Sequence, residues 1–141
     1  MCGLPGSGKT TFCRTLQACR PDVTHYNADV VRGAVDDWDF SAAGRMRQAQ
    51  RMRALAECAD TPVALLDFIC PTAALRAEVD PVLTIWLDTI RVSAFADTNA
   101  LWEPPVVGPR VVRLGTWLPA ALIGPFFRAL VPLPQDAVYA H

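Results

Sequence analysis

Gly3-Leu4-Pro5-Gly6-Ser7-Gly8-Lys9-Thr10 stands almost at the first residue and runs straight into a helical pattern. Its spacing is that of a complete Walker A loop. The glycines let the backbone bring its N–H groups against a polyphosphate, where a Cβ would block the approach. Lys9 is placed to reach the β- and γ-phosphates, and the Thr10 hydroxyl to ligate Mg²⁺. Gly3, Leu4, Pro5, Gly6, Ser7, Gly8, Lys9, Thr10 and Thr11 are therefore the expected ATP-binding run. Lys9 is the only lysine in a chain with 12 arginines. A compact ammonium on a flexible stem has been kept where a planar guanidinium cannot replace it.

Such a loop normally leaves the end of a central strand, and here only Met1 and Cys2 precede it. The first strand is expected to be truncated. Downstream, Phe12, Cys13, Leu16 and Cys19 recur at helical spacing until Arg20-Pro21-Asp22 ends the run. Its N-terminus faces the phosphates. Val23 to Tyr26 reads as a short strand, Asn27-Ala28-Asp29 leads into a helical turn holding Arg32, and Asp36 to Asp39 forms a turn. His25 reads as a strand side chain with no visible partner. Ser41 caps a helix running to about Ala59, on which Arg45 and Gln48 share one face and Arg47 and Arg51 another, the latter read as solvated. Pro62 to Asp67 is a buried parallel strand ending in an acid, the pattern of a Walker B element holding Mg²⁺ through water, although an acid beginning a loop would look the same.

Thr72 caps a short helix containing Arg76, and Val82 to Asp88 is a further apolar strand. Phe95 to Trp102 reads as irregular, Glu103-Pro104-Pro105 as a rigid break and Arg110 to Thr116 as a last strand. Trp117 to Leu133 is apolar but carries Pro119, Pro125, Pro132 and Arg128, so it reads as a broken core helix rather than a bilayer span. The tail after Pro132 is expected to be loose. Strands alternating with helices around a Walker loop predict a three-layer α/β fold with a mostly parallel sheet.

Composition narrows the function classes. With 141 residues, 52% of them hydrophobic, the chain can bury a real core as one domain. A net charge of −1 offers no general field for nucleic acid or an anionic membrane, so any anion site must be local. The 5 cysteines are odd in number and lack paired-ligand spacing, which reads as reduced thiols and a cytoplasmic location. Residues 1–10 lack the features of a signal peptide.

From Gly3 to about Pro105 the order of motifs resembles the adenylylsulfate kinases, which use MgATP to phosphorylate the 3′-hydroxyl of adenylyl sulfate. Asn27-Ala28-Asp29-Val30-Val31-Arg32 is similar to that family's Asp-Gly-Asp-Asn-x-Arg signature, with Asn27 departing from the first Asp. Phe40-Ser41 and Arg45 follow in family order, and Gln48 stands where the family has Asn. Phe68-Ile69-Cys70-Pro71 resembles Phe-Ile-Ser-Pro, with Arg76 matching the second of two following arginines and Ala73 replacing the first. Phe95 and Trp102-Glu103-Pro104-Pro105 resemble the aromatic and the Tyr-Glu-Pro-Pro that close the family's lid region.

The resemblance implies a single P-loop kinase domain over residues 1–141, with ATP and Mg²⁺ as cofactors and adenylyl sulfate as the partner molecule. A homodimer is left open. It implies that Lys9 and Asp29 are catalytic, Asp29 taking the proton of the attacking hydroxyl, and that Thr10 and Asp67 serve the metal. Asp29, Arg32, Phe40, Arg45, Gln48, Ile69, Cys70, Arg76 and Phe95 would bind the substrate, the arginines gripping the phosphosulfate and the two phenylalanines enclosing adenine. The family's basic lid is reduced here to Thr89-Ile90-Arg91-Val92-Ser93-Ala94, with Arg91 its one cation. Two other readings stay open: a P-loop kinase for another small molecule or a nucleic-acid end, and a nucleotide-binding module with little turnover.

Overall fold

The computed structural model describes residues 1–132; the expectation for the tail after Pro132 lies outside the described residues. Helices and strands alternate as α1 (Lys9–Cys19), β1 (Val23–Asn27), α2 (Ala28–Ala34), α3 (Ala42–Glu57), β2 (Val63–Asp67), α4 (Ala73–Val79), β3 (Thr84–Leu87), α5 (Ala96–Leu101), β4 (Val111–Leu114) and α6 (Ala120–Leu130). β1 pairs in parallel with β2, aligning Asn27 with Asp67, and β3 pairs in parallel with β4. The expected α/β fold of the P-loop kinase type is present.

Met1 and Cys2 lie between the two strand pairs. Cys2 forms a parallel bridge to Trp86, its N–H donating to Ile85 O at 2.9 Å and its carbonyl accepting from Leu87 N–H at 2.9 Å. On the other side the Met1 ammonium donates to Leu66 O at 2.8 Å. These two residues are the seam between β1–β2 and β3–β4.

Strand residues alternate between two cores, as the two-residue period of a strand requires. Leu65, Ile85 and Leu87 pack with Phe12, Cys13 and Leu16 of α1 and with Ile123 and Phe127 of α6. Cys2 and Trp86, with Leu66 at the margin, pack instead with Ala49 of α3 and with Leu75 and Val79 of α4. Helices therefore cover both faces, giving three layers. Leu16 is wholly buried, a burial that contributes about 1.5–3 kcal/mol.

Some local expectations need correction. Residues 96–101 form α5 rather than an irregular stretch, because Ser93 and Asn99 close its first turn. Ser93 N–H and Oγ–H both donate to Asn99 Oδ1, at 2.9 and 2.8 Å, and Ser93 Oγ accepts from Phe95 N–H at 3.2 Å. α6 begins only after Pro119 and then continues through Pro125. A proline just before the first turn loses no helical hydrogen bond, whereas Pro125 forfeits one. Among the described residues no helix is long and apolar enough to cross a membrane.

Candidate active site

Gly3 and Gly8 show why the loop is built from glycine. A Cβ on Gly3, at φ 148°, would lie 2.6 Å from Leu87 O, and one on Gly8, at φ 94°, would fall 1.7 Å from the Trp117 ring. Gly8 is also the N-cap of α1 and has no side chain to occupy the free N–H groups of the first turn. An 11-residue helix thus opens its N-terminus to an anion. The loop is braced from outside by Thr89, whose hydroxyl donates to Ser7 O at 2.8 Å. Ser7 Oγ is buried without a hydrogen-bond partner among the described residues.

Lys9 is buried and donates to Gly3 O at 2.9 Å and Leu4 O at 3.0 Å. Burial pulls its pKa down, opposed chiefly by the charge of Asp67. An ammonium has three N–H donors, so these two carbonyls leave one for a phosphate oxygen. The next residue, Thr10, donates its hydroxyl to Asp67 Oδ2 at 2.8 Å. That contact links the loop to the end of β2. A hydroxyl and a carboxylate in contact are hard oxygen donors of the kind Mg²⁺ takes beside a polyphosphate, so the residues present fit this metal.

Asp67 Oδ2 has further partners that the sequence reading missed. Asn27 Nδ2 donates to it at 2.8 Å, and His25 Nε2 lies 3.1 Å away. His25 therefore has a partner, contrary to the expectation. Burial raises the Asp67 pKa, but the hydrogen bonds from His25, Asn27 and Thr10 outweigh it and hold the carboxyl below its ordinary value. The available signal was period two: residues 25 and 27 fall on one side of β1, and register sets Asn27 beside Asp67. Asn27 also caps α2, its Oδ1 accepting from Asp29 N–H and Val30 N–H at 3.1 Å each. Cys13 Sγ lies within 4.8 Å of the His25 and Asp67 ligand atoms, but burial holds its thiol up at about 12.

A cavity of about 220 Å³ lies beside this loop; Lys9, Thr10 and Asp67 line it together with Asp29, Arg32 and Arg45. Pro5, Gly6, Phe40, Gln48, Ile69 and Cys70 also contribute to its wall. Asp29 is exposed at the first turn of α2. Arg32 is buried, donates to Asp37 O at 2.8 Å and Asp39 O at 3.1 Å, and stacks 4.7 Å from the centre of the Phe40 ring. Arg45 donates to Phe40 O at 2.9 Å and to Asp97 Oδ2 at 3.2 Å. Gln48 is held at both ends, donating to Ala28 O at 3.0 Å and accepting from Arg51, so it ties α2 to α3.

Arg76 and Phe95 stand elsewhere. Neither lines the cavity. Arg76 donates to Cys70 O at 3.0 Å and Pro71 O at 3.3 Å, and so braces a turn in which Cys70 adopts a left-handed φ of 47°. Such a conformation costs of order 1–3 kcal/mol and persists only where neighbours hold it. Phe95 is 57% exposed just before α5, so its ring encloses nothing with Phe40 in this arrangement.

Arg47 and Arg51, expected to be merely solvated, clamp the loop before α3. Arg47 reaches Asp39 at 2.9 Å and Asp37 at 3.3 Å, and Arg51 reaches Asp37 at 3.0 Å. Hydrogen bonds from Arg47 and Arg51 hold Asp37 well below the carboxylate range, and those from Ser41 and Arg47 hold Asp39 at about 2. Beyond β3, Arg91 is largely exposed and 3.4 Å from Asp88.

No protein-family model and no curated protein sequence matches the chain. Solved structures do. The Mycobacterium tuberculosis APS kinase CysC, as a cysteine-to-alanine mutant, is 20% identical with a TM-score of 0.68, each chain being covered over 94%. The same organism's APS kinase CysC in complex with AMPPNP and APS is 18% identical with a TM-score of 0.67, over 95% of this chain and 94% of that one. At this identity the likeness establishes a shared fold, that of adenylylsulfate kinase structures.

Proposed function

We propose that the protein is an ATP-dependent kinase that phosphorylates the 3′-hydroxyl of adenylyl sulfate to give 3′-phosphoadenylyl sulfate. The observation that carries this reading is the single cavity in which Lys9, Thr10 and Asp67 face Asp29, Arg32, Phe40 and Arg45. A neighbour of the same fold is in complex with AMPPNP and APS, which is consistent with a nucleotide on one side of such a cavity and adenylyl sulfate on the other.

MgATP would supply an activated γ-phosphoryl group, the metal offsetting the negative charge that develops during transfer. The residues of the chain do the rest. Lys9 and the first-turn N–H groups of α1 would hold the phosphates, and Thr10 and Asp67 would hold the metal. Asp29 accepts the proton of the 3′-hydroxyl as that oxygen bonds to the γ-phosphorus and the bond to the β-phosphate oxygen breaks, leaving ADP. Arg45 gives its remaining donors to the phosphosulfate, a planar fork suited to tetrahedral oxyanions. Arg32 acts mainly through Phe40, holding the ring as a ledge on which adenine stacks.

Equilibrium competition in the presence of a non-hydrolysable ATP analogue tests the acceptor. Adenylyl sulfate should bind well ahead of AMP, gluconate or a 5′-hydroxyl oligonucleotide. Arg45→Ala removes a hydrogen bond to a charged group, about 1.5–3 kcal/mol, and should weaken adenylyl sulfate by at least roughly tenfold with the analogue little affected. A preference for AMP or the oligonucleotide would move the assignment to another P-loop kinase. A second reading, nucleotide binding with little turnover, is favoured by the reduced lid, where Arg91 projects into solvent. Measurable ATP consumption excludes it.

A further inference from the structure

Three side chains able to bind a soft metal converge beneath the phosphate loop, and the phosphoryl transfer proposed above uses only Asp67 among them. Cys13 lies one turn beyond Lys9 on the buried face of α1. His25 stands two residues before Asn27 on β1 and so shares that residue's side of the strand. Asp67 ends β2, where register sets it beside Asn27. One ligand atom from each, the thiol sulfur, an imidazole nitrogen and a carboxylate oxygen, lies within 4.8 Å of the other two. His25 Nε2 is 3.1 Å from Asp67 Oδ2. Ligand atoms around a tetrahedral zinc ion, bonded at about 2.0–2.3 Å, stand roughly 3.3–3.6 Å apart, so an adjustment of about 1 Å among the side chains completes the set.

Burial and donor chemistry select the ion. Cys13 and Asp67 are 0% and 2% exposed, and the His25 side chain is 7% exposed. A thiolate and an imidazole suit Zn²⁺ or Co²⁺, whereas Mg²⁺ takes oxygen ligands in an octahedron. A thiolate with a carboxylate also balances a divalent cation, so the buried centre carries no net charge. Asn27 Nδ2 and Thr10 Oγ1 each donate to Asp67 Oδ2 at 2.8 Å and orient the carboxylate from outside the ligand set. Asp67 and Thr10 also border the cavity of about 220 Å³, an entry path and a source of water for the fourth position.

We propose that Cys13, His25 and Asp67 form a binding site for a thiophilic divalent cation of the zinc class. On binding, the Cys13 sulfur releases its proton to solvent and bonds the metal, and His25 coordinates through Nε2 with its proton on Nδ1. The cation offsets the burial that otherwise keeps the thiol protonated. The site shares Asp67 with the proposed Mg²⁺ position but needs neither nucleotide nor acceptor, so it stands or falls independently of the proposed reaction.

Cobalt is the probe, because a thiolate bound to Co²⁺ gives a near-ultraviolet charge-transfer band and a tetrahedral centre gives intense visible bands. The full chain carries Cys19→Ser and Cys58→Ser in every arm, which removes the two exposed thiols. Titration with Co²⁺ should give a charge-transfer band that saturates at one ion per chain, persists in excess Mg²⁺ and is bleached by Zn²⁺. Cys13→Ala should abolish the band. His25→Gln should weaken cobalt by at least the roughly 10- to 100-fold that loss of an outer-shell partner costs, with folding checked by circular dichroism. Zn²⁺ at roughly 100 times its dissociation constant should raise the melting midpoint by about 5 °C or more, and both variants should lose most of that gain. Absence of the band with cobalt in excess would overturn the proposal, as would a band that survives Cys13→Ala or is displaced by Mg²⁺ alone. Should Cys13→Ala unfold, His25→Gln decides: unchanged cobalt affinity there overturns the site.

Discussion

Replacing Asn27 by Asp, the residue at that place in the signature this stretch resembles, should destabilise this protein. The helix cap survives, since Asp caps as well as Asn, so the change falls on the Nδ2 group, which donates to Asp67 Oδ2 and, at a longer 3.3 Å, to Thr10 Oγ1. The contact with Asp67 is 2.8 Å long and ends on a buried carboxylate. Losing a hydrogen bond to a charged acceptor costs about 1.5–3 kcal/mol. Two carboxylates at that separation would repel by about 6 kcal/mol at an effective dielectric of 20, so the pair will retain a proton instead. For a chain of this length the lost bond alone lowers the midpoint by roughly 3–12 °C at pH 7.

The pH dependence has a definite sign. A shared proton means a folded-state pKa raised above the unfolded carboxylate value, so the stabilisation it provides is present below about pH 4 and is lost as pH rises through the raised value. The deficit relative to wild type should therefore narrow on acidification. It should narrow also with Mg²⁺ and an ATP analogue, which place a cation beside both carboxylates. Thermal unfolding at pH 7 and pH 4.5, with and without that ligand pair, reads all of this. Equal midpoints for variant and wild type at pH 7 would refute the view that Asn27 stabilises the Asp67 carboxylate.

Lys9→Met should abolish most MgATP-dependent turnover with an intact fold, and Lys9→Arg should fail nearly as badly; steady-state kinetics beside circular dichroism checks both. Asp29→Asn should lower kcat by about 10²- to 10⁴-fold while calorimetry shows both substrates still bound. Asp37 and Asp39 have depressed folded-state values, so the stability they contribute is present above about pH 4 and lost as pH falls toward 2. Arg47→Ala should flatten that acid limb in a stability-versus-pH series.

Reading the sequence worked best where one local physical rule decides. The glycine spacing of the Walker loop, the Ser41 and Thr72 caps and the apolar strand ending in Asp67 each depend on neighbours within a few residues, and all are seen. Contacts across elements were harder. Asn27 and His25 meet Asp67 only through the register of β1 on β2. Arg47 and Arg51 looked solvated because their partners lie in a preceding turn whose path the helical period does not encode. Arg76 and Phe95 were placed by motif alone, and the strained turn at Cys70 and the Ser93–Asn99 closure direct them elsewhere.

Transfer of label from [γ-³²P]ATP to adenylyl sulfate tests the central claim most directly, with the labelled product mapped to its oxygen and Lys9→Met run beside wild type. Label on the 3′-oxygen, formed by wild type and lost in the variant, is the expected result. Wild type that binds both ligands yet labels adenylyl sulfate no faster than Lys9→Met would contradict the account.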